Sequence, residues 1–173
     1  VKIMTCLLAL ENTQLTDEVT MTATGVSGVT DGGASISSQV DEVFTVEQCL
    51  YAIMVASAND IALQIAEHVG GSVDGFVQQM NTRAQELGCT NTVFTNPTGL
   101  PDDNQHTTAH DMALIMQAAI QNESFRTIAA ATSYTIPATN KAAARNLTSK
   151  FTMTDTGSTG FYEGCIGGKE GYT

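Results

Sequence analysis

Two apolar runs separated by a short segment rich in polar residues set the strongest constraint on this chain. Thr45-Val46-Glu47-Gln48 has the form of a capping box, with the Thr hydroxyl available to an early helix N–H and Gln48 reaching back to the cap. A helix from this cap is predicted to run to about Ala56, and a second apolar stretch, Ile61 to Val69, ends at Gly70-Gly71. Between them stand Ser57, Ala58, Asn59 and Asp60. Helices this apolar belong inside a domain, and at a junction between them side chains can point into a cleft and still be held rigidly. The local alternative is that Asn59 caps the helix starting at Asp60.

A third apolar run opens the chain. Lys2 to Glu11 carries Ile3, Met4, Cys6, Leu7, Leu8 and Leu10, apolar nearly all round, and reads as a core helix with a lysine in its first turn. Further along, Ser72 caps a helix through Val73, Phe76, Val77, Met80, Ala84 and Leu87 that Gly88 stops. Asn96-Pro97-Thr98-Gly99 is a turn cluster, Thr108-x-x-Asp111 opens a helix through Ile120, and a short helix is expected from Glu123 to Ala130. From Asp17 to Ala34 the alternation of Val19, Met21 and Ala23 predicts a short strand followed by a loop. The stretch from Ser133 to Thr173 alternates short β-prone pieces with polar and Gly turns, and no internal repeat is visible.

With 173 residues the chain is long enough to bury a real core as one domain. Its formal net charge of −11, with 7 Lys plus Arg and no basic cluster, offers nothing to neutralise a phosphate backbone or an anionic lipid surface. Nucleic acid is therefore excluded as a partner, and membrane contact is expected only through segments outside this chain. No apolar run reaches the roughly 18 to 20 residues of a membrane-crossing helix. From the start at Val1 without methionine and the stop at Thr173 after a Gly-rich stretch, the sequence is expected to be an excerpt. Cys6 and Cys49 lie in helical patterns, and without a C-x-x-C pair the thiols read as structural. His106 and His110 have metal-ligand spacing but lack a third ligand, so they are assigned surface or capping roles, and no metal or cofactor is expected.

Three places can carry chemistry. Lys2, in the first turn of a buried helix, has its ammonium form disfavoured by desolvation and by the positive end of the helix dipole. A neutral amine there can take a proton from a serine one turn earlier, which is the physical sense of a Ser-x-x-Lys box. That serine would lie two positions before Val1. The alternative is a terminal lysine that points to solvent. Ser57 is placed to relay a proton, and Asn59 to hydrogen-bond a substrate amide. Gly167-Gly168-Lys169-Glu170-Gly171-Tyr172 reads as a strand whose glycines let another backbone come close, with Lys169 supplying positive charge to a substrate carboxylate. The alternative is a Gly-rich loop with an exposed Lys-Glu pair.

In this order, with about 55 residues between the first and second motifs and about 110 between the second and third, the three resemble the penicillin-recognising serine enzymes. Leu50 to Ala62 resembles the central helix and Ser-x-Asn box of the low-molecular-mass D-alanyl-D-alanine carboxypeptidases. Phe76 to Asn81, Phe94 to Leu100 and His106 to Ala113 are similar to the segments that follow in that family. The resemblance implies an α/β (α+β) fold of the β-lactamase and DD-peptidase type. This chain would hold mainly its helical part plus an incomplete antiparallel sheet, with residues 1–173 forming one truncated catalytic domain.

By position, the resemblance implies that the serine before Val1 attacks the D-Ala-D-Ala carbonyl with Lys2 as base, while Ser57 and Asn59 assist proton transfer and hold the substrate. Lys169 would bind the terminal carboxylate region, with Glu170 and Gly171 beside it. The backbone N–H of Tyr172 would form the oxyanion hole with that of the serine. The implied partners are peptidoglycan stem peptides ending in D-Ala-D-Ala and β-lactam antibiotics, met outside the cytoplasmic membrane. The third box reads Lys-Glu-Gly where the family has Lys-Thr-Gly. Glu170 would then repel the carboxylate, weaken β-lactam binding, or turn toward Lys169. Without its serine the chain is not expected to turn over. The other readings are a class A β-lactamase, for which no Glu-x-x-Leu-Asn segment lies between Asn59 and Lys169, and a silent wall-binding module.

Overall fold

A computed structural model describes residues 1–29 and 33–171. Helix α1 (Lys2–Asn12) is followed by strand β1 (Glu18–Thr20), helix α2 (Ala23–Ser27), strand β2 (Val43–Thr45), and helices α3 (Val46–Val55), α4 (Asn59–Gly70) and α5 (Val73–Glu86). Helices α6 (Ala109–Ala119) and α7 (Glu123–Ala129) then lead to strands β3 (Ser133–Ile136) and β4 (Arg145–Thr148). Both strand pairs are antiparallel, β1 with β2 through Val19 opposite Phe44, and β3 with β4 through Tyr134 opposite Leu147.

The expected helices form where their caps placed them. Thr45 Oγ1 accepts from the Gln48 N–H at 3.2 Å while Gln48 Oε1 accepts from the Thr45 N–H at 2.9 Å, closing the capping box. Ser72 accepts from Gly75 N–H and Thr108 from Asp111 N–H. Gly71, at φ 71°, ends α4 in the left-handed region that glycine enters at no steric cost. Met4, Leu7, Leu8 and Ala9 of α1, Leu50 and Ile53 of α3, and Ile61 and Ile65 of α4 are all buried, so the three apolar runs form the centre of one core. Helix α4 lies in the middle, packed on α1, α2, α3 and α5.

Three segments differ from expectation. Ala23, the last residue of the predicted alternation, opens α2 instead of continuing the strand. Thr22 Oγ1 accepts from Thr24 N–H at 3.2 Å, and the Thr22 N–H and Thr24 hydroxyl are bound by Gln64 and Glu67 of α4, so tertiary bonds select the helix. Strand β2 comes without periodic signal, because three residues are too few to show one. The stretch 167–171, predicted as strand, has no ladder among the described residues. The Gly168 N–H donates instead to the carbonyl of Ala129 at the end of α7, at 3.2 Å. The expected close approach is there nonetheless: a Cβ on Gly167 would sit 2.8 Å from the Ala129 carbonyl.

Long-range contacts tie the small sheets to each other and to the helices. The buried Glu42 carboxylate accepts from Arg145 Nη1 at 2.7 Å, Nη2 at 3.0 Å and Thr139 Oγ1 at 2.5 Å. Tyr51 of α3 stacks on Tyr134 of β3, with ring centroids 3.8 Å apart.

Candidate active site

The junction between α3 and α4 is built on a strained residue. Ser57 stands at φ 58°, in the left-handed region where a non-glycine side chain crowds its own backbone. That conformation reverses the chain so that the Ala58 N–H donates to the Ala52 carbonyl at 3.2 Å, and the Asn59 N–H to the Ala34 carbonyl at 2.7 Å. Asn59 does not cap α4. The cap position is Ala58, which offers no side-chain bond, and Asn59 is the first helical residue. Strain at a rigid, buried junction is a feature of functional sites.

The Asn59 amide meets Lys2. The Lys2 ammonium donates to Asn59 Oδ1 at 2.7 Å and to the carbonyl of Thr98. Lys2 thus points into the molecule, and the solvent-facing alternative does not hold. Burial pushes its pKa down from the ordinary 10.5 to about 8, helped by the neighbouring Lys169 ammonium. The direction agrees with the sequence, although the charge responsible in addition to burial is another lysine. One turn along α1, the buried Cys6 thiol is pushed up to about 12 by desolvation and stays protonated at neutral pH.

The third wall comes from the end of the described chain. The Lys169 side chain is only 6% exposed, and its ammonium donates to Glu170 Oε1 at 2.6 Å and to the Glu170 carbonyl at 3.0 Å. Of the three outcomes open to Glu170, turning toward Lys169 is the one adopted. A cleft of about 300 Å³ results, with Lys2, Ser57, Asn59, Lys169, Glu170 and Gly171 on its lining. Tyr172 lies outside the described residues. A second cleft of about 330 Å³ lies on the far side of Ser57 and shares Glu170 and Gly171 with the first.

The turn at Asn96 was legible as a turn but not as part of the site. Asn96 Oδ1 accepts from the N–H groups of Thr98 and Gly99 at 3.2 and 2.7 Å and from the Thr98 hydroxyl at 2.9 Å. This holds the Thr98 carbonyl against Lys2. The buried Thr5 of α1 braces the same turn, donating to the Pro97 carbonyl at 2.8 Å. The capacity of Asn for such local bonds is a usable signal, but which carbonyl it would present depends on α1 being beside it.

His106 and His110 take no metal-ligand arrangement. His106 Nδ1 lies 3.0 Å from the Asn104 carbonyl and the His110 side chain is 77% exposed, and no cluster able to hold a metal ion exists among the described residues.

A buried lysine with a lowered pKa, a strained serine, an asparagine amide and a second lysine paired with Glu170 around one cleft suit acyl transfer to a serine hydroxyl. Similarity to known proteins points the same way. The chain is 33% identical over its whole length to the D-alanyl-D-alanine carboxypeptidase DacB2 of Mycobacterium tuberculosis, of which the match covers 56%. It is 38% identical over 71% of its length to DacF of Bacillus subtilis, of which it covers 32%. It therefore spans between about a third and somewhat over half of these relatives. In three dimensions it resembles the DD-transpeptidase of Streptomyces K15 at a TM-score of 0.89 and 28% identity, over 99% of this chain and 69% of that one. It also resembles a D-alanyl-D-alanine carboxypeptidase from M. tuberculosis at a TM-score of 0.86 and 30% identity, over 99% of this chain and 62% of that one. The mixed architecture of helices and small antiparallel sheets is the fold of these neighbours. From Val1 to Thr173 the sequence fits the D-alanyl-D-alanine carboxypeptidase family, and the chain belongs to that family.

Proposed function

We propose that the complete protein is a serine-type D-Ala-D-Ala carboxypeptidase, acting outside the cytoplasmic membrane, and that residues 1–173 are part of its single catalytic domain. The observation that carries this reading is the 2.7 Å bond from Lys2 to Asn59 inside a cleft shared with Ser57 and Lys169. With a pKa of about 8, roughly a tenth of Lys2 is neutral at pH 7, against well under a hundredth at the ordinary value, and the amine is suited to act as general base.

In this mechanism the serine three residues before Lys2 gives its proton to the Lys2 amine as its oxygen attacks the carbonyl between the two D-alanines. The tetrahedral oxyanion is held by the N–H groups of that serine and of Tyr172. Collapse breaks the peptide bond, and the departing D-alanine nitrogen takes the proton back through Lys2 and Ser57. Asn59 orients both Lys2 and a substrate amide, while Lys169 attracts the end of the stem peptide. Water then hydrolyses the acyl-enzyme, and a β-lactam enters the same path and stops at the acyl stage.

The test is labelling of the complete protein with a fluorescent penicillin, alongside release of D-alanine from a stem peptide. Covalent label on the serine before Lys2 and slow release are expected. A different residue at that place with no label would replace this reading by a non-catalytic wall-binding module. Rapid nitrocefin turnover would replace it by a β-lactamase.

A further inference from the structure

Asn59 and Lys169 line the first cleft, Thr148 and Lys150 line the second, and Ser57 and Glu170 line both. In the mechanism proposed above, on which this inference rests, Asn59 holds a substrate amide and Ser57 hands a proton to the departing D-alanine nitrogen. The departing residue then extends past Ser57 into the second cleft, and its carboxylate needs a cation there. Lys169 is a poor one, because its ammonium is bound to the Glu170 carboxylate at 2.6 Å and the pair is neutral as a unit. Lys150 pairs with no carboxylate among the described residues. Three of the chain's four lysines, Lys2, Lys150 and Lys169, line these two clefts in a molecule of formal net charge −11, a focus of positive charge that suits an anionic ligand.

Both walls of the second cleft are fixed in place. On one side the Ala34 carbonyl accepts from the Asn59 N–H at 2.7 Å, and the buried Asp60 carboxylate holds the residues that follow, accepting from Ser35 Oγ at 2.7 Å and Ser38 Oγ at 2.7 Å. On the other side Thr148 ends β4, the Ser149 N–H donates to the Thr132 carbonyl at 2.8 Å, and the Phe151 ring packs so closely on Gly168 that a Cβ there would overlap it. Thr148 and Lys150, two positions apart, thus present a hydroxyl and an ammonium to the same cleft. That donor set is the one missing from the third box, where glutamate stands in place of threonine and neutralises the lysine. We propose that Thr148 and Lys150 hold the terminal carboxylate of the departing D-alanine, with Lys150 the residue that makes the site specific for a free carboxylate. The substrate remains a peptide with a free C-terminus, and only its anchor moves, from the third box to the end of β4.

The experiment follows release of the terminal residue by the complete protein from a diacetylated L-lysyl-D-alanyl-D-alanine peptide and from the same peptide with a terminal carboxamide. Lys150→Met is expected to raise KM for the free acid about tenfold, the scale of one lost charge-assisted hydrogen bond, and to leave KM for the carboxamide within about twofold. The wild-type preference for the acid disappears in that variant, and Lys150→Arg, which keeps the charge, retains it. Thr148→Ala is expected to raise KM for the acid by about threefold, as for a neutral hydrogen bond. A preference for the acid that survives Lys150→Met, or one that Lys169→Met abolishes while Lys150→Met matches the wild type, overturns the subsite and leaves the active-site reading in place. No release from either peptide, together with no penicillin label on the wild type, removes the active-site reading and the subsite with it.

Discussion

Lys2 and Asn59, 57 positions apart in sequence, are joined by a 2.7 Å hydrogen bond from the lysine ammonium to the asparagine amide oxygen. The bond ties the first turn of α1 to the first turn of α4. It also supplies a fixed partner for a charge that burial disfavours.

Asn59→Ala removes that partner and leaves the ammonium with Thr98 alone. A loss of about 2 kcal/mol in urea unfolding is expected, in the range for a hydrogen bond to a buried charged group. In Lys2→Met the same Asn59→Ala change is expected to cost less than half as much. Equal costs in the two backgrounds would mean that the bond contributes nothing to stability.

Lys2 titrates near pH 8 in the folded chain, against an ordinary 10.5. Between those values the unfolded chain holds a proton that the folded chain does not, so stability rises with pH across the window. Lys2→Met abolishes this part of the rise. Carbon NMR of the Lys2 side chain measures the titration directly, and a midpoint near 10.5 would refute it. In the complete protein, acylation by penicillin is expected to speed up as pH rises through about 8.

Arg145→Ala strands the buried Glu42 carboxylate. Burial would raise the Glu42 pKa, but bonds from Arg145, Thr139 and the Gln39 N–H outweigh it and hold the carboxyl below its ordinary value. A loss of about 3 kcal/mol is expected for breaking such a pair. The pair's contribution is present above the ordinary carboxylate value and disappears as pH falls through the lower folded one. The wild-type chain is thus expected to lose more stability than Glu42→Gln across that acid range, as followed by circular dichroism.

Ser57→Gly relieves a left-handed backbone that serine tolerates poorly. The folded chain is expected to gain up to about 1 kcal/mol, less whatever entropy glycine adds to the unfolded state. In the complete protein the same change is expected to slow acylation, a trade of activity for stability. A clear loss of stability would show that the hydroxyl's contacts outweigh the strain.

The central helices were legible because their signals are local: a closed capping box at Thr45, a serine cap at Ser72, glycine at the end of α4, and apolar spacing throughout. The candidate residues could be picked out because lysine, serine and asparagine are conspicuous in apolar surroundings, and the six described ones line one cleft. What could not be read depends on partners far away in sequence. The Thr98 carbonyl matters because α1 lies beside it, and α2 is a helix because Gln64 and Glu67 bind its start. The glycines at 167 and 168 signalled close approach correctly, but not that the neighbour would be the end of α7 and the Phe151 ring instead of another strand.

Helix α4 begins with Asn59 and is packed on α1, α2, α3 and α5. Its first turn cannot shift without moving a helix that four others grip. One side of the cleft is therefore a fixed die, expected to be among the slowest parts of the chain to exchange amide hydrogens. Ligands of different size must be accommodated from the opposite side, where the 150–171 stretch has turns and glycines in place of helix.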